Sequence, residues 1–174
     1  MGLRYWILNC IRILKFLNTV FINFLERFLI YSQKIIFMKT VAVSGHFVYF
    51  HLGHLRMIQE AKKLGDKLIV IVSNDFQHKL KKGKIIMTQD ERAEIIRALR
   101  DVDEVVISID KDRSSIKTLE MLKPDIYANG GDRTKDEIPE AEICKKLRIK
   151  MIDGVGGSTK IDSSSRFIEE FNRE

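Results

Sequence analysis

The 174-residue sequence contains only two cysteines and two prolines, and it has no long uncharged apolar stretch. Cys10 and Cys144 are far apart and neither belongs to a Cys-x-x-Cys pair, which argues against a disulfide framework and favours a reducing compartment. No acidic or thiol side chain stands at zinc-site spacing from the four histidines, so we expect no structural metal. Within the first 37 residues the longest run without a charge, residues 16–25, is too short for a membrane-spanning helix, which needs about 18 apolar residues.

Positive charge is unevenly distributed along the chain. The formal net charge is +6, and residues 1–37 hold five basic side chains against the single acid Glu26. The remainder is nearly balanced, which favours a solvated surface of mixed charge over a polynucleotide groove and predicts no nucleic-acid partner. A nucleic-acid site in the basic extension is an alternative, and its affinity would fall steeply with salt.

The first 37 residues are rich in Phe, Ile and Leu and lack Ala, Asp and Pro. On a helical wheel their polar and apolar side chains fall in opposite arcs, which predicts a basic amphipathic helix that lies on an anionic membrane surface or docks on a partner. A cleaved leader, a true start at Met38 and a membrane span are the alternatives. We divide the chain into an extension, residues 1–37, and a domain, residues 38–174, expected to be cytoplasmic and, if the extension binds lipid, peripheral to a membrane.

From Lys39 onward, strand and helix patterns alternate, which predicts a Rossmann-like α/β fold with a doubly wound parallel sheet of about five strands. Helix 91–100 begins with a capping box at Thr88 and should bury Ile95, Ile96 and Leu99. The remaining predictions are a basic loop at 78–84, strands at 41–43, 67–73, 103–108, 124–128 and 148–152, and helices at 55–65, 114–122 and 138–147.

Two histidines mark the start of the first of these helices. His51 and His54 flank Gly53 directly after the strand at 41–43 and its glycine turn. Free N–H groups and the positive end of the helix dipole point to the same place, so the site should attract an anion. Imidazole donors there could stabilise charge that develops on a phosphate. The simpler alternative is that the histidines only cap the helix.

The order Ser-Gly-His-Phe (44–47) followed by His51-x-Gly53-His54 resembles the signature of the cytidylyltransferase-like nucleotidyltransferases, which include glycerol-3-phosphate cytidylyltransferase and heptose-phosphate adenylyltransferases. The resemblance spans about residues 40–168. It implies transfer of a nucleoside monophosphate from CTP or ATP, with Mg²⁺, to a small phosphorylated metabolite such as a sugar phosphate or alcohol phosphate, with release of pyrophosphate. A homodimer is left open.

The same resemblance implies the site residues. The expected catalytic residues are His51, His54, Lys82 and Arg92. The expected nucleotide-binding residues are Ser44, Gly45, His46, Phe47, Gly53, Lys79, Lys84, Gly130, Gly131, Asp132, Ser163, Ser164 and Ser165.

One position departs from the family pattern. The family usually carries Asp or Asn after the phenylalanine of the turn, whereas this chain has Val48, which offers no polar atom. The rival hypothesis is therefore a catalytically weakened nucleotide-binding module with a regulatory or scaffolding role.

Overall fold

The computed structural model describes residues 21–28, 38–130 and 138–157. Residues up to Met38 and residues from Lys39 onward form separate units. The strands are β1 (Thr40–Gly45), β2 (Lys67–Val72), β3 (Glu104–Ile107), β4 (Ile126–Gly130) and β5 (Lys150–Val155). The helices are α1 (21–28), α2 (Leu52–Lys62), α3 (Asp75–Lys82), α4 (Gln89–Arg97), α5 (Ile116–Leu122) and α6 (Ala141–Leu147).

The five strands form one sheet in the order β3-β2-β1-β4-β5, and every pair of neighbours is parallel. This confirms the predicted Rossmann-like fold. The chain winds outward from β1 to β3, then returns to place β4 on the other side of β1. Open α/β sheets bind ligands at such a switch point, outside the carboxyl ends of the two strands. The crevice above β1 and β4 is therefore the place to look for a site.

Apolar side chains leave the strands on both faces of the sheet, as parallel strands covered by helices require. On one face, Val41 and Val43 of β1 belong to a buried cluster with Ile58 of α2 and Ile96 of α4. On the other face, Ala42 belongs to a cluster with residues of α5 and α6. Because side chains alternate along β1, α2 packs on one face of the sheet. This packing fixes the position of its first turn at the carboxyl edge of the sheet.

Two local predictions were wrong. The segment predicted as a basic loop belongs to helix α3, because Asn74 and Gln77 form a reciprocal capping box that starts the helix. Gly83, at φ +79°, ends it in the left-handed conformation. In α4, Ile96 is fully buried as predicted, but Ile95 is 41 % exposed, because the neighbouring position of a helix points about 100° away.

Helix α1 is described by itself. All eight of its residues are exposed, and Phe21, Phe24 and Phe28 recur at the spacing of one helical face. Within the residues that the structure describes, no helix has the length and apolar character needed to cross a bilayer. The membrane-surface or partner role of the extension stays a prediction.

Candidate functional site at the carboxyl edge of the sheet

The turn after β1 is compact because the Phe47 ring folds back over Gly45. A Cβ atom on Gly45 would lie 2.7 Å from that ring, so any larger residue would force the ring to move. Phe47 is 2 % exposed, and both Phe47 (φ +50°) and Tyr49 (φ +54°) adopt the left-handed region. Such conformations cost on the order of 1–3 kcal/mol and are concentrated at functional sites. The strained turn takes the chain from β1 to the helix mouth in few residues.

The two predicted histidines lie together at that mouth. Their ring centroids are 3.8 Å apart with an interplanar angle of 23°, so the rings stack. His51 is the N-cap of α2, and no side chain caps the helix and no acidic residue lies in its first turn. Among the described residues, then, no carboxylate competes with an anion for the free N–H groups. Gly53 lies in the first turn between the two histidines.

His54 is neutral at neutral pH. Burial, followed by the neighbouring charges of His51 and Lys81, lowers its pKa from 6.5 to about 4. The ring packs against Phe47 and Phe50, with centroids 5.1 and 5.8 Å away. Its Nδ1 atom is buried and has no hydrogen-bond partner among the described residues. The tautomer with hydrogen on Nε2 therefore leaves a neutral donor for a ligand.

Lys81 is the site residue that the sequence did not single out. Its positive charge contributes to the low pKa of His54, so the ammonium group lies close enough to interact electrostatically with the histidine pair. Because this segment is helical, Lys81 lies three residues after buried His78 and four after buried Gln77, and so on the same side of α3 as these two residues. The capping box at Asn74 was the signal that could have revealed this.

The other predicted lysines lie on α3 or just after it. Lys79 and Lys84 are exposed, as Lys81 is, and Lys84 follows the left-handed Gly83 that ends α3. For Lys82, only the backbone lies within the described structure. Their predicted contacts with a triphosphate remain predictions.

Arg92 is enclosed by protein, although it lies in the first turn of α4. Its side chain is 0 % exposed. The guanidinium donates to the carbonyl oxygens of His46 (2.7 Å), Ser73 (2.7 Å) and Met87 (3.1 Å) and to Oδ1 of Asp75 (3.0 Å). It thus joins the turn after β1, the end of β2 and the start of α3. This geometry favours a role in holding the site together over the predicted contact with a triphosphate.

Asp75 extends this connection to the start of α4. Its Oδ1 accepts from the backbone N–H of Gln89 at 2.7 Å, and its own backbone N–H donates to Oε1 of Gln89 at 3.0 Å. The segment from the start of α3 to the start of α4, which includes Lys84, is therefore held at both ends by one network around Arg92.

The remaining predicted residues lie at the end of β1, in the turn after it, and at or beyond the end of β4. Ser44 Oγ is 2.6 Å from the hydroxyl of Tyr127 on β4, and His46 has its ring centroid 6.0 Å from that of buried His78. At Gly130, a Cβ atom would be 2.5 Å from Sδ of Met57, so the end of β4 packs closely on α2. Outside the described residues lie Gly131, Asp132, Ser163, Ser164 and Ser165.

Sequence comparison agrees with this arrangement. The profile of the family described as cytidylyltransferase-like matches residues 42–169, which is most of the chain and includes the turn, the histidine pair and β5. The chain belongs to the cytidylyltransferase-like family. It is accordingly a nucleotidyltransferase by family, and the histidine pair is the part of the candidate site that the structure describes most completely.

Two relatives and one solved structure give the range of the likeness. The chain is 41 % identical to the FAD synthase of Ferroglobus placidus over 113 residues, covering 65 % of this chain and 72 % of the relative. It is 37 % identical to the bifunctional protein HldE of Nitratiruptor over 123 residues, covering 70 % of this chain but 26 % of that protein. The lipopolysaccharide core biosynthesis protein from Thermoplasma volcanium matches with a TM-score of 0.55 and 33 % identity, covering 67 % of this chain and 95 % of the other.

Proposed function

We propose that this protein transfers a nucleoside monophosphate from ATP or CTP to the phosphate of a small phosphorylated metabolite. A phosphate oxygen of the acceptor attacks the α-phosphorus, a new P–O bond forms, and the bond to the β-phosphate breaks to release pyrophosphate. The observation that carries the proposal is the stacked pair His51 and His54 at the uncapped mouth of α2, above the switch point of the sheet.

Charge neutralisation and positioning account for most of the catalysis in such a transfer. His54 would donate a hydrogen bond from Nε2 to an oxygen on the α-phosphorus, with no proton transfer required. The N–H groups of the first turn of α2 would bind the same phosphate. Lys81 would neutralise charge on the departing pyrophosphate, and Lys79, Lys82 or Lys84 would assist if the end of α3 moves toward the ligand.

Mg²⁺ fits this chemistry as an ion that binds together with the nucleotide. The ion commonly keeps several waters and binds substrate phosphates together with only one or two carboxylates. The described residues hold no cluster of three or more metal-ligating side chains, so we expect the triphosphate to supply most of its ligands. When bound, the ion would screen the phosphate charges against one another.

The names of the relatives reduce the number of acceptors that should be tested first. FAD synthases produce FAD, in which an adenylate is joined to a flavin phosphate, so a flavin phosphate is an acceptor to test first. A sugar phosphate, the acceptor expected from the likeness to heptose-phosphate enzymes and from the match to HldE, is the second. Both are phosphate monoesters, and the same attack on the α-phosphorus serves either.

The deciding experiment is a matrix of the four nucleoside triphosphates against flavin, sugar and alcohol phosphates, with pyrophosphate as the readout. His54→Ala should lower turnover at least about a hundredfold, as the loss of a transition-state donor does. His54→Gln, which keeps a neutral N–H donor, should lose less. Equal turnover in all three proteins would remove His54 from the mechanism.

The rival function, a nucleotide-binding module without turnover, is favoured by one observation. Val48, where the family usually carries Asp or Asn, is 3 % exposed and buried in the turn beside Phe47. Tight nucleotide binding without pyrophosphate release across the whole matrix would support the module and overturn the transferase.

A further inference from the structure

Helix α1 carries a well-separated apolar face. At about 100° per residue, four of its large apolar side chains fall within an arc of about 100°. These residues, all between 41 % and 64 % exposed, are Phe21, Phe24, Leu25 and Phe28. Asn23, Glu26 and Arg27 lie in the opposite arc. Contiguous exposed apolar patches of this kind mark surfaces that bind another molecule or a membrane.

Aromatic residues are concentrated in the same part of the sequence. The extension is 37 of 174 residues long, yet it holds eight of the fifteen Phe, Tyr and Trp residues. On the helical wheel of the sequence, Trp6 falls in the same arc as the phenylalanines of α1. Helices that lie at the boundary between lipid headgroups and acyl chains carry Trp, Phe and Leu on their apolar face. The composition of the extension is therefore typical of a helix that binds a bilayer surface.

The charge of the extension is strongly positive. Its five basic residues, against one acid, are Arg4, Arg12, Lys15, Arg27 and Lys34. The remainder of the chain holds 25 basic residues against 23 acids, so most of the net charge lies in the extension. Each Lys or Arg near an anionic bilayer strengthens binding by about fivefold at moderate ionic strength. The polar side of the extension thus complements the charge of anionic headgroups.

We propose that the extension binds the surface of an anionic lipid bilayer. Helix α1 would lie along the surface, with its phenylalanine face inserted about 5–10 Å into the boundary between headgroups and acyl chains. The basic side chains would interact with the lipid phosphates. The inference concerns residues 1–37 and does not depend on the proposed transfer reaction.

The combination of the two faces favours a bilayer over the other possible partners. An apolar groove on a protein would cover the phenylalanines but has no need of basic residues on the opposite side. A nucleic acid would bind the basic residues but would leave Phe21, Phe24 and Phe28 in water. An anionic bilayer satisfies both faces of one helix at once.

The test measures how the full chain floats with lipid vesicles in a density gradient. One set of vesicles is pure phosphatidylcholine, and in the other about a third of the lipid is anionic phosphatidylglycerol. In about 0.1 M salt the protein should bind the anionic vesicles at least about tenfold more tightly than the neutral ones. In about 1 M salt the Debye length falls from about 10 Å to about 3 Å, and this ratio should fall below about threefold.

Two variants that add the same negative charge test the apolar face. Phe24→Asp places an aspartate in the middle of that face, whereas Asn23→Asp places one on the polar side at the next position. Phe24→Asp should bind anionic vesicles at least about tenfold more weakly than Asn23→Asp, because it also loses the burial of a phenylalanine ring. Phe24→Leu, which keeps an apolar side chain, should recover most of the affinity.

The fluorescence of the wild-type protein supplies a second readout. Trp6 is the only tryptophan in the chain, so its emission reports on the extension. Anionic vesicles should shift this emission to shorter wavelength, and lipids brominated on the acyl chains should quench it. Binding with neither effect, and with equal affinity in Phe24→Asp and Asn23→Asp, would assign the contact to the domain and overturn the proposal.

Other outcomes would overturn the proposal in favour of a different partner. No binding to vesicles, or equal binding to neutral and anionic vesicles in about 0.1 M salt, would refute it directly. Self-association of the full chain that Phe24→Asp abolishes, without vesicle binding, would assign the apolar face to a second copy. Salt-sensitive binding to RNA, again without vesicle binding, would assign the basic residues to a nucleic acid.

Discussion

Replacing Arg92 tests whether this side chain organises the site or contacts the nucleotide. Arg92→Met keeps most of the aliphatic volume but removes the charge and all four hydrogen bonds, which leaves Asp75 and three carbonyl oxygens without the guanidinium donor. Asp75 is 28 % exposed and keeps the N–H of Gln89, so the loss should be about 1–3 kcal/mol, as for a buried polar group that loses its partner. Since domains are typically stable by about 5–15 kcal/mol, urea denaturation should show the loss clearly in the absence of nucleotide.

Two further variants sharpen the experiment. Arg97 lies about one and a half turns further along the same helix at an exposed position. Arg97→Met should change the free energy of unfolding by less than about 0.5 kcal/mol. Arg92→Lys keeps the charge but not the planar fork, so it should recover only part of the loss. If Arg92→Met were as stable as wild type without nucleotide and only bound ATP more weakly, the organising role would be refuted and the triphosphate contact restored.

Three other changes test the histidine pair, the lysine and the glycines that follow β5. The pKa of His54 is about 4 in the folded protein and 6.5 for an ordinary histidine, so the unfolded chain binds more protons between these pH values. The free energy of unfolding should therefore fall by up to about 3 kcal/mol as the pH drops from 7 to 4. If His54→Gln lost the same stability over this pH range, the low pKa of His54 would be contradicted. Lys81→Ala should weaken ATP binding about tenfold and raise the pKa of His54 in NMR titrations. Lys146→Ala, at an exposed position of α6, should do neither, and equal effects would argue against Lys81. In urea denaturation, Gly156→Ala should lower the free energy of unfolding by about 2 kcal/mol more than Gly157→Ala does. Both glycines have positive φ, but only a Cβ atom at Gly156 would clash with α2. Equal losses in the two variants would refute the close contact.

The fold could be predicted because its signals are local and repeated. The buried run of β2, Lys67–Val72, and the alternation of strand and helix patterns are sufficient for a parallel sheet. Helix α3 was missed because the lysine-rich segment 78–84 has few apolar residues, and its start depends on one capping pair, Asn74 with Gln77. Where the hydrophobic pattern is weak, the capping residues decide the structure.

The site was predictable only where one short segment carries it. His51 and His54 are three residues apart on one helix, so their stacking follows from helical geometry. The environment of Arg92 was not predictable, since its partners at His46 and Ser73 come from loops that meet only after the sheet has formed.

The electrostatics of the histidine pair links binding to chemistry. In the free protein, burial and the nearby Lys81 keep His54 neutral, because a second positive charge in this place would be unfavourable. A bound triphosphate brings several negative charges to the same place and would attract the Lys81 ammonium to itself. The field at His54 then changes sign, so we expect nucleotide binding to raise its pKa and to strengthen the donor at Nε2. In the proposed mechanism the substrate would supply the charge that makes His54 a better donor, and the folded protein would avoid the cost of holding a protonated histidine pair before the substrate arrives.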